Sequence, residues 1–167
     1  VALYRTDKDN NNQRVNAKPH AYWEPLNQSS RGLDAEISGS LSDRWQVYAG
    51  YTFNRSTNRN SVGDNVESRR KGYNFSSHTP KHMFRLYTSY VLPVDDGKWT
   101  VGLGLKSSSK TANSYGSIKQ GGYTIWNTNV QYRPSKNLQL GLAVNNLTDK
   151  RYYENQYSRA TNSDNFY

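Results

Sequence analysis

The chain has 167 residues, no Cys, and a formal net charge of +9 from 22 Lys and Arg against 13 Asp and Glu. Lack of Cys excludes a disulfide framework, a thiolate metal site and a Cys nucleophile within it. Its 14 Tyr and 4 Trp exclude a disordered chain, which is poor in aromatics, although the mean hydropathy is -1.01.

No apolar run approaches the roughly 20 residues of a transmembrane helix, and no secretory signal opens the chain, so an N-terminal region is expected upstream of Val1. Val1 to Thr6 reads as the remnant of a strand, followed by a long polar connection from Asp7 to Gln28. From Arg31 to Leu41 one face carries Leu33, Ala35, Ile37, Gly39 and Leu41, and the other Gly32, Asp34, Glu36, Ser38 and Ser40. That period of two is the signature of a strand between two different environments. A tight turn at Ser42-Asp43-Arg44 leads into Trp45, Val47, Ala49, Tyr51 and Phe53, set against Gln46, Tyr48, Gly50 and Thr52, which completes a hairpin.

After a polar connection from Asn54 to Thr79, the pattern returns as Phe84, Leu86, Thr88, Tyr90 and Leu92 opposed by Met83, Arg85, Tyr87 and Ser89. Pro93 to Gly97 forms a short turn, and Trp99, Val101, Leu103 and Leu105 follow, opposed by Thr100, Gly102, Gly104 and Lys106. Pairing Leu92 with Trp99 sets Arg85 opposite Lys106, a repulsive juxtaposition of like charges. Asp34 and Glu36, a domain outside the chain, or water in a channel would each relieve it. A third polar connection spans Ser107 to Gly121. The last hairpin presents Trp126, Thr128, Val130 and Tyr132, turns at Arg133 to Lys136, and returns through Leu138, Leu140, Leu142 and Val144. The segment from Thr148 to Tyr167 reads as a fourth long connection.

Short turns thus alternate with long polar connections, as in an outer-membrane barrel with tight periplasmic turns and long external loops. Trp45, Trp99 and Tyr132 abut the short turns on the apolar face, where an aromatic girdle meets the bilayer interface. The fold class is therefore all-β, an antiparallel transmembrane β-barrel of which this chain supplies about seven strands. A soluble sandwich would share the alternation, but Asp34, Glu36, Arg85 and Lys106 are unusual in a packed interior.

Chemistry-bearing residues are sparse. His20, His78 and His82 are the candidates for acid-base work, yet no acid, base and nucleophile cluster around them, and no enzyme is expected. His78 and His82, flanking Thr79-Pro80, leave open a metal or haem contact. Gly102-Leu103-Gly104 and Gly121-Gly122 lie in or beside strands, where Gly marks a bend or close approach. Recognition belongs on the external loops. Arg55, Arg59, Arg69, Arg70, Lys71, Tyr73 and Phe75, with Tyr22, Trp23, Tyr115, Tyr153 and Tyr157, combine guanidinium forks and ring faces that suit a flat anionic ligand. The basic excess calls for an acidic partner, lipopolysaccharide phosphate or an anionic ligand; the scatter of Lys and Arg does not suit nucleic acid.

Ser30-Arg31-Gly32-Leu33-Asp34-Ala35-Glu36, Val47-Tyr48-Ala49-Gly50-Tyr51-Thr52, Thr79-Pro80-Lys81-His82, Gly121-Gly122-Tyr123-Thr124 and above all Asn145-Asn146-Leu147-Thr148-Asp149-Lys150-Arg151-Tyr152-Tyr153 together resemble the C-terminal barrel strands of TonB-dependent outer-membrane siderophore receptors. The resemblance implies part of a barrel of about 22 strands, with the N-terminal plug, the TonB-contacting segment and the closing strand outside residues 1–167. It implies a monomeric receptor in the bacterial outer membrane, among lipid and lipopolysaccharide. Such a receptor binds a ferric siderophore at its external loops and imports it with TonB-coupled energy, with no cofactor beyond the transported complex. A passive porin-like channel, an outer-membrane hydrolase, and a receptor for haem, cobalamin or another metal complex are the competing readings.

Overall fold

The computed structural model describes residues 1–16, 19–63, 66–113 and 118–154. The strands are β1 (Ala2–Val15), β2 (Tyr22–Ser42), β3 (Trp45–Asn58), β4 (His82–Val91), β5 (Trp99–Ser108), β6 (Thr111–Ala112), β7 (Lys119–Gln120), β8 (Tyr123–Ser135) and β9 (Leu138–Val144). β1, β2, β3, β4, β5, β8 and β9 form a 7-stranded sheet in chain order, and β6 pairs with β7 separately. Every pairing is antiparallel.

The register carries the alternating rows across the sheet unbroken. Leu33 faces Phe53, Val47 faces Thr88, Thr88 faces Leu103, Leu103 faces Thr128, and Thr128 faces Val144. These apolar rows are not packed into a core: Leu3, Ile37 and Leu142 are 78%, 71% and 68% exposed, whereas the buried hydrophobics among the described residues are Val15, Leu26, Val62 and Ile125. An apolar sheet face turned outward is what lipid solvates and water does not. Below it, Trp45 meets Tyr90 edge-on with ring centroids 6.3 Å apart, and Trp99 stacks on Tyr132 at 4.3 Å. Both pairs stand beside the short turns, forming the girdle at that rim.

The opposite face is polar. Arg85 does stand opposite Lys106, and Glu36 lies in the same row beyond Gly50. Tyr48 donates its hydroxyl proton to Glu36 Oε1 at 3.1 Å. Gly102 sits under the Tyr87 hydroxyl, which reaches across to Asn129 Oδ1; a Cβ there would collide with both. Close approach, not a phosphate-cradling loop, is therefore the role of this glycine, an aromatic covering a bare stretch of strand.

The short turns explain themselves locally. Asp95, Asp96 and Gly97 all adopt positive φ, at 47°, 54° and 76°, a conformation open to Gly and tolerated by Asp. Lys98 Nζ bonds Asp95 Oδ1 at 3.0 Å, which holds the Asp95 carboxyl below its usual range and raises the Lys98 ammonium. In the last hairpin the ladder shifts register between Tyr132 and Ser135, and Pro134, which has no N–H to donate, sits in that bulge.

At the other end β1, β2 and β3 run much further than their apolar rows. Residues 7–15 and 22–28 are paired strand, where the sequence reads as connection, and β3 continues to Asn58. β2 alone has 21 residues, about 66 Å at 3.3 Å per residue against an apolar band of about 25 Å. The extension leaves no period-two hydropathy signal because neither of its faces meets lipid. Asn10, at φ 58°, marks the register shift between Lys8 and Asn11, and its N–H bonds Asn27 Oδ1 at 2.9 Å.

Candidate functional site

The segment after β3 folds back over the inner side of the β1–β2 extension. Tyr22, Glu24 and Leu26 share parity with Asp34 and Glu36, and Val15 pairs with Tyr22. Val62 closes over Val15 and Leu26 to give a small apolar core. Glu24 Oε2 accepts the Gly63 N–H at 3.0 Å, and Arg69 Nη1 donates to Arg14 O at 3.0 Å. Asn58 Nδ2 ties the far limb by donating to Ser68 O and Arg70 O.

The same segment then joins the next loop. Ala112 N donates to Ser77 O at 2.9 Å, and Ser77 Oγ donates to Asn113 O at 3.2 Å. Ser109 N donates to His82 O, while Ser109 Oγ accepts the His82 N–H. Next in line, Gln120 and Tyr153 exchange hydrogen bonds, and Tyr152 stacks on Tyr123 at 4.7 Å. Three external connections are thus linked in series at one end of the sheet.

Between the first two lies a cleft of about 590 Å³ whose walls include Asn74, Lys81, His82, Lys110, Lys119 and Gln120. Lys81, Lys110 and Lys119 are exposed, so three cationic residues border one concavity. Cationic residues around a concavity suit an anionic ligand.

The residues singled out from sequence divide among several places. Arg69, Arg70 and Tyr73 belong to the segment folded over the hairpin, where Tyr73 N bonds Arg70 O and Tyr73 O accepts from Asn58 N. Tyr22 is on the inner row and 48% exposed. Trp23 and Arg55 have the opposite parity, that of Leu33, and project from the outward side of the wall. Arg59 is engaged by Asp9 at 3.0 Å. Tyr153 lies in the loop joined to Gln120, and Tyr115 and Tyr157 lie outside the described residues. His82 packs on Phe53 with centroids 5.1 Å apart and meets Tyr51 Oη at 2.8 Å, as a cross-strand neighbour in the wall. Sequence reasoning favoured Arg and Tyr and missed the lysines; the signal was present in Lys81 of the Thr79 to His82 motif, and in Lys110 and Lys119 at either end of a Ser- and Gly-containing stretch of sequence.

The family model described as TonB dependent receptor-like, beta-barrel matches residues 1–147. The chain belongs to the TonB-dependent receptor family. Its strands are therefore strands of an outer-membrane receptor barrel, a family of transporters and not of enzymes. This barrel segment is similar to the ferric-pyoverdine M114 receptor PbuA of Pseudomonas sp. strain M114, at 32% identity over 74% of the chain and 15% of that protein. It is also similar to the probable TonB-dependent siderophore receptor PiuA of Acinetobacter baumannii, at 32% identity over 95% of the chain and 21% of that protein. Among solved structures, the ferripyoverdine receptor of the Pseudomonas aeruginosa outer membrane bound to ferripyoverdine superposes with a TM-score of 0.71 at 26% identity, covering 90% of the chain and 21% of that receptor. The chain spans about a fifth or less of the length of these relatives.

Proposed function

We propose that the protein whose barrel wall contains this chain binds a ferric siderophore at its external loops and imports it across the outer membrane with energy delivered through TonB. The observation that carries the reading is the lysine-bordered cleft between linked loops, on the side of the sheet away from the aromatic girdle of the short turns. It is supported by the names of the similar proteins, which are ferric-siderophore receptors. Ferric chelates with acidic groups match ammonium donors, and the loops supply them without covalent chemistry. Iron enters as cargo with its chelator, and the residues 1–167 contribute wall and part of the vestibule.

The test is uptake of radioactive ferric siderophores by iron-starved cells lacking the full-length gene and complemented with it, in the presence and absence of TonB. One anionic pyoverdine or catecholate chelate is expected to depend on both. Replacing Lys81, Lys110 and Lys119 with Gln should weaken its binding more than tenfold at unchanged receptor abundance. Uptake indifferent to the receptor or to TonB would refute the proposal.

A further inference from the structure

Arg5 pairs across the sheet with Arg31, and Arg31 with Arg55, so three guanidinium groups stand in one row. Their parity is that of Leu3, Leu33 and Phe53, the row immediately below, which points them outward, toward lipid and away from the ligand vestibule. Two residues further along a strand tilted near 40° lift a side chain about 5 Å. The row therefore tops the apolar band at the height where acyl chains give way to headgroups.

All three arginines are exposed, and neighbouring strands lie only about 4.8 Å apart. Like charges in direct opposition weaken a sheet, so a counter-ion is called for. Arg5 has one in Asp7, at 3.0 Å from its Nε. Asp9, the next acidic residue along β1, is held by Arg59. The guanidinium groups of Arg31 and Arg55 have neither a hydrogen bond nor an ion pair among the described residues. Two adjacent planar forks, one strand apart, match the oxygens of a single phosphate, and the row below them offers apolar surface on which acyl chains can lie.

We propose that Arg31 and Arg55, flanked by Arg5, bind the phosphate of an outer-leaflet lipid headgroup, with its acyl chains against Leu33 and Phe53. The inference rests on the placement of this wall in the outer membrane. It adds a lipid site that shares no lining residue with the siderophore cleft.

The experiment uses the full-length receptor, extracted from outer membranes in non-ionic detergent and titrated with bisphosphorylated lipid A in native mass spectrometry. Heat-modifiable electrophoretic mobility reports whether the barrel is folded. Wild-type receptor should retain the lipid, and R31Q/R55Q should bind it at least tenfold more weakly. Wild-type receptor should bind dephosphorylated lipid A as weakly as R31Q/R55Q binds the phosphorylated form, and millimolar inorganic phosphate should not displace the lipid. Equal affinity of R31Q/R55Q and wild type, indifference to the lipid's phosphates, or displacement by inorganic phosphate would each overturn the proposal. If R31Q/R55Q does not fold, R31K/R55K decides: charge without the planar fork should cost severalfold in affinity, and wild-type binding would count against the site. A receptor absent from the outer-membrane fraction would refute the membrane placement; one that is present, folded and blind to lipid phosphate refutes this inference alone.

Discussion

Asn146 shows how much one side chain can decide. It adopts φ 52°, and its amide works in both directions, Oδ1 accepting the Lys150 N–H at 2.9 Å and Nδ2 donating to Lys150 O at 3.1 Å. Its own N–H bonds Asn127 Oδ1 at 2.8 Å, so the turn after β9 is fastened to β8. Asn tolerates the left-handed region and carries both a donor and an acceptor at this reach; Ala does neither. Asn146→Ala should destabilise the turn by about 2–3 kcal/mol, from roughly 1 kcal/mol of backbone strain and about 1 kcal/mol for each lost hydrogen bond. Asn146→Gly removes the strain and should recover about a third to a half of that loss. Protease sensitivity of residues 146–150 in the folded receptor reads both, with Ala cut fastest. The motif around Asn146 could be recognised in the sequence, but the lock could not: it depends on Asn127, nineteen positions away.

At the scale of the strand, one position separates two solvents. Ile37 faces outward, is 71% exposed and pairs with Ala49; Ser38, its neighbour, faces inward and pairs with Tyr48. Ile37→Arg should cost about 2–4 kcal/mol, the range for a lipid-facing cation near the bilayer midplane. Ser38→Arg should change stability by less than about 0.5 kcal/mol, since a surface substitution meeting water is usually tolerated. The folded fraction of the full-length receptor during urea titration in detergent-free vesicles separates the two; equal losses would refute the assignment of faces. The same contrast explains what the sequence discloses. Leu33 to Leu41 and Trp45 to Phe53 are legible because lipid and water impose a period of two. Asp7 to Val15 and Tyr22 to Gln28 are strands of the same sheet, yet with lipid on neither side no period of two marks them. Trp23 and Arg55 look like vestibule residues for that reason: their parity emerges only when the strand is known to continue past the membrane.

At the scale of the whole molecule, the sheet has two edges, β1 and β9. In water an edge can be solvated, but within hydrocarbon each unpaired N–H or C=O costs several kcal/mol, so a membrane sheet must close on further strands. β9 runs from Leu138 to Val144, and even a few unpaired groups along it outweigh the 5–15 kcal/mol by which domains are typically stable. The linked loops add nothing to that edge, because their bonds join β3, β5, β8 and the turn after β9 at the external end. This division also sets the limit of what sequence can disclose about the cleft: Lys81, Lys110 and Lys119 converge only because β4 and β5 pair with Arg85 opposite Lys106 and so bring their outer ends together. The 167-residue chain, refolded by itself into lipid vesicles, should remain protease-sensitive throughout and show no heat-modifiable band. The same residues within the full-length receptor should be protected from β2 to β9. Protection of the isolated chain at monomer mass would mean that its edges are satisfied by some means other than closure, and would contradict the barrel account.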